Sequence, residues 1–126
     1  MTVVFNFKRQ FAESVATGAK RQTIRLHRKD GRVPRLGETV KLYTGLRTKA
    51  TRLLATGTVS DCFAVEIDPA RGKVKIRGIG LASWMADDFA RRDGFENALT
   101  MADWFASQYG KAALPFSGYC TRWILG

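Results

Sequence analysis

One β-prone stretch, residues 51–67, constrains the fold more than any other segment of this sequence. Strands in globular proteins usually span about 5–6 residues, so we expect a stretch of this length to be bent or interrupted. Gly57 lies near its middle, and glycine in a strand is typical of a bend or a bulge. The sequence therefore predicts a long, irregular strand at the centre of the chain.

The rest of the chain divides into shorter segments with strand or helix patterns. A loop is predicted where glycine and proline recur, at residues 27–37. Because the strands do not alternate regularly with helices, the sequence indicates the α+β class, with about five to six mixed or antiparallel strands and two to three helices. A small curled barrel would suit this number of strands. The further strands are predicted at residues 3–7, 22–26, 38–43, 73–77 and 119–125, and the helices at residues 8–17, 81–92 and 100–109.

Individual residues predict where the helices end and which aromatic side chains are buried. Gly18 is a good stop for the first helix, and Thr100 with Asp103 has the spacing of a capping box at the start of the last one. Tyr119 begins the last strand and could reach a cleft. The other large aromatic residues of the C-terminal half fall at helix or strand spacing and are predicted to be core residues, namely Trp84, Phe89, Trp104, Phe105 and Trp123.

The positive charge of the chain is concentrated in its first 54 residues. They hold 13 Lys or Arg and three acidic residues, whereas the remaining residues hold eight of each. This half accounts for the whole net charge of +10, and such a basic surface predicts a polyanionic partner. Nucleic acid fits better than an anionic membrane, because no long amphipathic helix carries basic residues along one face.

Length and hydropathy predict one globular domain, with 126 residues of which 45% are hydrophobic. No run approaches 18 apolar residues, and the apolar start of the chain is too short for a signal peptide. We therefore expect a cytoplasmic protein that does not contact membranes, either a monomer or a dimer. In that compartment Cys62 and Cys120 are expected to be free, buried thiols.

The residues that are missing exclude several mechanisms. His27 is the single histidine, so a ribonuclease with a pair of catalytic histidines is impossible. No GxxxxGK[ST] or GxGxxG motif is present for phosphate binding. Two cysteines and one histidine do not complete an ordinary zinc site, and Asp87 and Asp88 are predicted to form a solvated helix face. We expect neither a metal nor another cofactor.

Lysine and hydroxyl chemistry remains possible around Lys20. Arg21 follows it directly and Arg25 lies nearby, and positive neighbours disfavour the ammonium form of a lysine. A neutral lysine can serve as a base or activate a hydroxyl, and the nearest hydroxyl is that of Thr23. These two side chains converge only if Lys20 belongs to the turn before the strand, because residues three apart on a strand point to opposite faces.

The segment Gly18-Ala-Lys-Arg-Gln-Thr-Ile-Arg25 resembles the G-x-K-x-x-T-I-R signature of ASCH domains. The resemblance continues through residues 34–43, 43–49 and 90–95 and reaches the closing strand at Trp123. It implies a PUA-like β-barrel with a cleft that faces RNA. Since it covers nearly the whole chain, residues 1–126 are expected to form a single ASCH domain.

Two activities are implied by this resemblance. The first is hydrolysis of acetylcytidine, for which the catalytic lysine and threonine of the family match Lys20 and Thr23. Asp93 falls near the position of the family's catalytic glutamate. The second is binding or cleavage of single-stranded RNA, found in members with a Tyr-Thr-Gly-x-Arg-Thr-Lys segment, which residues 43–49 match.

The basic half and the segment at residues 43–49 favour the second activity. We predict a metal-independent ribonuclease that acts on single-stranded RNA in a basic cleft, with Lys20, Thr23, Lys49 and Asp93 as catalytic residues. The alternatives are an acetylcytidine amidohydrolase, whose substrate is a nucleoside, and a non-enzymatic RNA-binding module. The predicted RNA-binding residues are Lys8, Arg9, Arg21, Arg25, Tyr43, Arg47 and Lys49.

Overall fold

A computed structural model of the chain describes residues 2–27, 31–68, 73–110 and 115–126. It confirms the α+β class. The described residues form seven strands and three helices, and the strand that the sequence did not predict is a short one of two residues. The elements in chain order are β1 (Thr2–Phe7), α1 (Arg9–Thr17), β2 (Gln22–Leu26), β3 (Thr39–Thr44), β4 (Arg52–Asp68), β5 (Lys73–Ile76), β6 (Ile79–Gly80), α2 (Ser83–Arg92), α3 (Ala98–Tyr109) and β7 (Phe116–Leu125).

The seven strands belong to one mixed sheet. β1 pairs in parallel with β3, and β3 pairs antiparallel with β4. β4 pairs antiparallel with β5, which forms a hairpin with β6. β7 pairs with both β2 and β4. Within the described ranges these pairings do not join into a closed ring, so the barrel remains a prediction.

β4 confirms that the long central stretch is a single strand, but its irregularity lies earlier than Gly57. Leu42 pairs with Ala55 and Tyr43 with Leu53, which leaves Leu54 as the extra residue of a β-bulge. Gly57 has a different role: a Cβ atom at this position would lie 2.4 Å from the carbonyl oxygen of Ile124. Glycine therefore permits a close backbone approach here.

The helix ends agree with the sequence at α1 and differ at α3. Gly18 ends α1 in the left-handed region, with a φ of 83° and its N–H donating to the carbonyl of Val15. Thr100 is not the cap of α3, because the side chain of Asn97 accepts hydrogen bonds from the backbone N–H and the hydroxyl of Thr100. Asparagine is a strong N-cap, so the helix begins before the threonine.

The chain forms two compact units. Unit 1 comprises Met1–Gln22, Pro34–Cys62 and Thr121–Gly126, and unit 2 comprises Thr23–Val33 and Phe63–Cys120. Ten of the basic residues and three of the acidic residues belong to unit 1, against eleven and eight in unit 2. The charge excess of the N-terminal half is therefore largely that of unit 1.

The core of unit 1 contains aromatic residues from β1, α1 and β7. Phe7 meets the ring of Trp123 edge-on, with 6.0 Å between the ring centroids. Trp123 is 2% exposed, which confirms its predicted burial. Its Nε1 atom is a buried donor without a hydrogen-bond partner within the part of the chain that the structure describes. Apolar residues of four elements complete this core, among them Phe5, Phe11, Val15, Val40, Leu42 and Val59.

The core of unit 2 is an aromatic cluster around Phe105, which is 1% exposed. The rings of Phe95, Trp104, Tyr109 and Phe116 lie within 6.3 Å of it, measured between centroids. Phe89 is also buried, as predicted. Trp84 was predicted to be a core residue and is not, because it lies 72% exposed in the first turn of α2.

Three further predictions concern the cysteines, membrane-spanning helices and the loop at residues 27–37. Cys62 and Cys120 are free cysteines, as predicted. Cys120 is buried as predicted, whereas Cys62 was predicted to be buried and is only half-buried. The described helices include none that is long and apolar enough to span a membrane. The predicted loop at residues 27–37 has no regular secondary structure where it is described, and its residues 28–30 lie outside the described ranges.

Candidate active site and basic loop

Lys20 lies in the turn between α1 and β2 and not on the strand. This location is the condition under which its side chain and that of Thr23 were predicted to converge. Its backbone N–H donates to the carbonyl of Ser14, which holds the turn against the end of the helix. The side chain is only 3% exposed. Its Nζ atom lies 5.0 Å from the ring centroid of Phe11 and 5.9 Å from that of Phe7. Buried lysines are rare, so this environment is unusual for a residue that merely contributes charge.

Thr23 and Arg25 lie on one face of β2, because residues two apart on a strand point the same way. The Arg25 Nε donates a hydrogen bond of 3.0 Å to the Thr23 hydroxyl oxygen. Thr23 is 4% exposed and Arg25 is half-buried. The predicted nucleophile candidate is therefore a buried hydroxyl whose oxygen accepts a charge-assisted hydrogen bond.

Arg25 also interacts electrostatically with residues from three other parts of unit 2. Burial lowers the pKa of Arg25, while the nearby Tyr109, Tyr119 and Asp93 act to raise it. An arginine keeps its proton across the physiological range even so. We call Thr23, Arg25, Asp93, Tyr109 and Tyr119 the Arg25 cluster; it holds one permanent positive charge in a largely buried setting.

Asp93 is the acid of this cluster and caps the C-terminus of α2. It is 3% exposed. A carboxylate at this end of a helix is unfavourable, because the helix dipole is negative there. A buried acid placed against that preference, in a cluster with an arginine, is a candidate for chemistry.

The two tyrosines connect the cluster to neighbouring aromatic residues. Tyr119 is 5% exposed, and its ring centroid lies 6.0 Å from that of His27. Tyr109 ends α3 and stacks on Phe105 with an interplanar angle of 14°. The sequence indicated that Tyr119 could reach a site. It gave no signal for Tyr109, whose relation to Arg25 depends on how α3 packs.

The loop that follows β3 forms a second polar region, in unit 1. We call residues 45–52 the basic loop, after its exposed cations Arg47, Lys49 and Arg52. Two threonines hold its backbone. The Thr48 hydroxyl lies 2.6 Å from the Gly45 carbonyl oxygen, and the Thr51 hydroxyl lies 2.8 Å from the same oxygen.

The basic loop is also fixed at its start and by its backbone angles. The Thr44 hydroxyl donates to the carbonyl of Phe7, and the Leu46 N–H donates to the side chain of Asn6. Gly45 and Arg47 have φ angles of 63° and 66°. The left-handed region costs a non-glycine residue roughly 1–2 kcal/mol, so the loop holds Arg47 in a conformation that an isolated chain would avoid.

The remaining predicted RNA-binding residues lie outside these two regions. Lys8 and Arg9 are exposed at the start of α1. Arg21 is exposed, and its Nε donates to the carbonyl of Gly18 at 2.8 Å. Tyr43 is half-buried on β3. All four are in unit 1, where the exposed cations can contribute to a positive surface.

Unit 2 also contains a surface groove of about 280 Å³ that involves none of the predicted site residues. It is lined by two acids of β4, two lysines of β5 and one proline, namely Glu66, Asp68, Lys73, Lys75 and Pro115. The acids and lysines face each other across the strand pair, Glu66 with Lys75 and Asp68 with Lys73. Its charges are balanced, which makes it a poorer candidate than the Arg25 cluster.

The donor sets of the described residues do not suggest a metal centre. Within the described ranges no three His, Cys, Asp or Glu side chains are grouped so that they could hold an ion. Comparison of the chain with family models, with curated proteins and with solved structures finds no match.

Proposed function

We propose that the protein hydrolyses the acyl–nitrogen bond of an acylated cytosine nucleoside, with acetylcytidine as the simplest substrate. The observation that carries this proposal is burial. Lys20, Thr23 and Asp93, the three residues that the resemblance assigns to amide hydrolysis, are each 3–4% exposed. Burial of polar and charged side chains is costly, so burial of all three residues favours a chemical role over a structural one.

The positions of the predicted catalytic residues also favour an amide over a phosphodiester. The three residues that the resemblance assigns to amide hydrolysis are all buried. Lys49, which the ribonuclease mechanism also uses, is exposed on the basic loop. We therefore place deacylation before RNA cleavage.

The reaction consumes one water molecule. The bond between the acyl carbon and the exocyclic nitrogen breaks, the water oxygen becomes part of the released acetate, and the nitrogen gains a proton to give cytidine. We propose that the Thr23 hydroxyl either attacks the acyl carbon, giving an acyl–threonine ester that water then hydrolyses, or holds the water that attacks directly. In both cases Asp93, in its protonated form, delivers a proton to the leaving nitrogen. Following the resemblance, Lys20 would act in its neutral form as the base.

The test is conversion of acetylcytidine to cytidine and acetate, followed by chromatography. We expect turnover by the wild-type protein in the presence of EDTA and a loss of at least about 10³-fold in kcat for Thr23→Val, because removal of a nucleophilic group is among the largest single losses in an enzyme. Thr58→Val is the matched control, since Thr58 is an exposed β4 threonine. Intact acetylcytidine after long incubation with wild-type protein would reject the proposal.

A second function, binding of single-stranded RNA, is favoured by the basic loop. Its cations are exposed, while hydrogen bonds from Thr48 and Thr51 fix its backbone. A fixed loop loses little conformational entropy when it binds phosphates, and Tyr43 at the preceding strand could stack on a base. We propose that this loop binds RNA whether or not the protein is an enzyme.

RNA binding and cleavage can be separated in one experiment. Fluorescence anisotropy with a labelled single-stranded RNA in EDTA measures affinity, and a denaturing gel of the same sample detects cleavage. Salt-dependent binding of intact RNA is the expected result. Cleavage that Lys49→Ala abolishes would support the ribonuclease mechanism instead, and affinity that does not change with salt would reject phosphate binding by the loop.

We also propose that the sheet forms the curled, PUA-like barrel that the resemblance implies. Support comes from β4, which spans 17 residues, contains a bulge at Leu54 and pairs with β3, β5 and β7. Bulges increase local twist and bend a strand. A long bulged strand with three partners is typical of a strongly curved sheet.

A further inference from the structure

We propose that Arg25 is a positioning residue that fixes the orientation of the Thr23 hydroxyl and stabilises negative charge on its oxygen. The inference rests on the proposed deacylation and adds to it a residue that was predicted to bind RNA. It assigns Arg25 to the reacting centre and not to the phosphate-binding surface. Three features of unit 2 carry the argument: a hydrogen bond, a constrained backbone and a set of neighbouring side chains.

The hydrogen bond sets what the threonine can do. A hydroxyl has one proton to donate and two lone pairs, and the Arg25 Nε occupies one lone pair of Thr23 at 3.0 Å. The threonine proton is then directed away from the arginine and towards an acceptor. As that proton leaves, negative charge develops on the Thr23 oxygen within contact of a guanidinium, an arrangement that lowers the barrier to deprotonation without reorganisation.

The backbone of Arg25 is constrained by β7. A Cβ atom at position 118 would lie 2.1 Å from the Arg25 carbonyl oxygen, which is closer than any side chain permits. Gly118 therefore lets the two strands approach, and the close approach fixes the strand position from which the arginine side chain extends. Sites that depend on accurate geometry are usually built on such rigid elements.

The neighbours of Arg25 keep its charge in place. Burial alone would lower the pKa of the guanidinium, and Asp93, Tyr109 and Tyr119 oppose that effect. An arginine that served as a phosphate contact would need neither the buried acid Asp93 nor the buried phenol of Tyr119 nearby. Arg25 instead donates a hydrogen bond from its Nε to Thr23, and its side chain is half-buried. Both features suit a residue that acts on a neighbouring group.

The experiment compares Arg25→Gln and Arg25→Lys with wild type on acetylcytidine. We expect Arg25→Gln to lower kcat about 10²-fold, the usual loss for one donor at a reacting oxygen, with KM changed by less than about threefold. Arg25→Lys keeps the charge but not the planar donor geometry, so we expect partial recovery. Arg92→Gln is the control, because Arg92 is an exposed α2 arginine paired with Asp88.

Chemical rescue separates positioning from a purely structural role. Methylguanidine added to Arg25→Ala should raise kcat at least about tenfold and should have no effect on Arg92→Gln. Thermal unfolding checks that each variant is folded, and Arg25→Lys supplies the test if Arg25→Ala is not. Full kcat in Arg25→Gln, or a loss confined to KM, would overturn the inference while deacylation stands. Absence of wild-type turnover would instead reject the proposed function itself.

Discussion

The Arg25 cluster and the basic loop both contain arginine and threonine, and they differ in exposure and in what the hydroxyls bind. In the cluster the Thr23 hydroxyl accepts from a half-buried arginine, with a buried acid nearby. In the loop, the hydroxyls of Thr48 and Thr51 bind backbone carbonyls and leave the cations exposed. Burial strengthens electrostatic interactions, whereas salt screens exposed charges. The first arrangement suits chemistry on a neutral group, and the second suits attraction of a polyanion.

After Thr23→Val, the largest expected effect is at Asp93, the acid of the cluster. Asp93→Asn removes the proton that the carboxyl group delivers to the leaving nitrogen. General acid–base catalysis contributes about 10²–10⁴-fold, so we expect kcat on acetylcytidine to fall by at least about 10². Asp103→Asn, at an exposed position on α3, is the control. Equal turnover by Asp93→Asn and wild type would remove Asp93 from the mechanism.

The next effect concerns the close approach of strands that supports Arg25. Gly118→Ala inserts a methyl group into a space where 2.1 Å separates its position from the Arg25 carbonyl oxygen. Overpacking of this kind costs about 1–3 kcal/mol, and we expect urea unfolding to show such a loss. Gly80→Ala is the matched control, because nothing lies within 4 Å of a Cβ there. Equal unfolding midpoints for the two variants would contradict the close packing.

The basic loop should respond in RNA affinity and not in stability. Replacement of Arg47, Lys49 and Arg52 by Gln removes three phosphate contacts. Each contact contributes about 0.7 to the slope of log K against log salt for a single strand, so we expect the slope to become shallower by about 2. The control replaces the exposed Lys73, Lys75 and Arg77 by Gln. A slope that changes equally in both variants would show that overall charge, and not the loop, attracts RNA.

The smallest effect lies outside both regions, at Cys62. Burial raises the pKa of this thiol and Asp61 adds to the rise, while a hydrogen bond with Thr121 opposes it. A pKa that is higher in the folded state means that the thiol favours folding below its unfolded pKa and loses this contribution as pH rises through the folded value.

Alkylation by iodoacetamide measures this shift. We expect Cys62 to react more slowly than free cysteine near pH 8 and its rate to rise at higher pH than that of free cysteine, since the thiolate is the reactive form. Cys62→Ala identifies the labelled residue, because Cys120 is 0% exposed. A rate at pH 8 equal to that of free cysteine would contradict the pKa shift.

The sequence predicted features that depend on local geometry. Gly18 at the end of α1 and the single long strand at residues 52–68 follow from glycine's tolerance of positive φ and from β propensity. It missed features that depend on competition or on tertiary packing. Asn97 outcompetes Thr100 as the cap of α3, and the bulge at Leu54 is visible only once β3 and β4 are paired.

In the candidate site, too, local relations between residues could be predicted from the sequence and tertiary ones could not. The spacing of Thr23 and Arg25 already places them on one face of a strand, although their hydrogen bond was not predicted. Tyr109 and Tyr119 reach Arg25 from a helix end and from another strand, which no local pattern indicates. The burial of Asp93 likewise depends on how α2 packs. These tertiary relations shift the favoured function from RNA cleavage towards deacylation.

The most direct test measures cytidine release from acetylcytidine and single-stranded RNA affinity in parallel for wild type and Thr23→Val. If chemistry depends on the Arg25 cluster and RNA attraction on the basic loop, Thr23→Val should lose at least about 10³-fold in cytidine release while its Kd for RNA changes by less than about twofold. Undiminished cytidine release by Thr23→Val, or losses of release and affinity that occur together, would contradict the account.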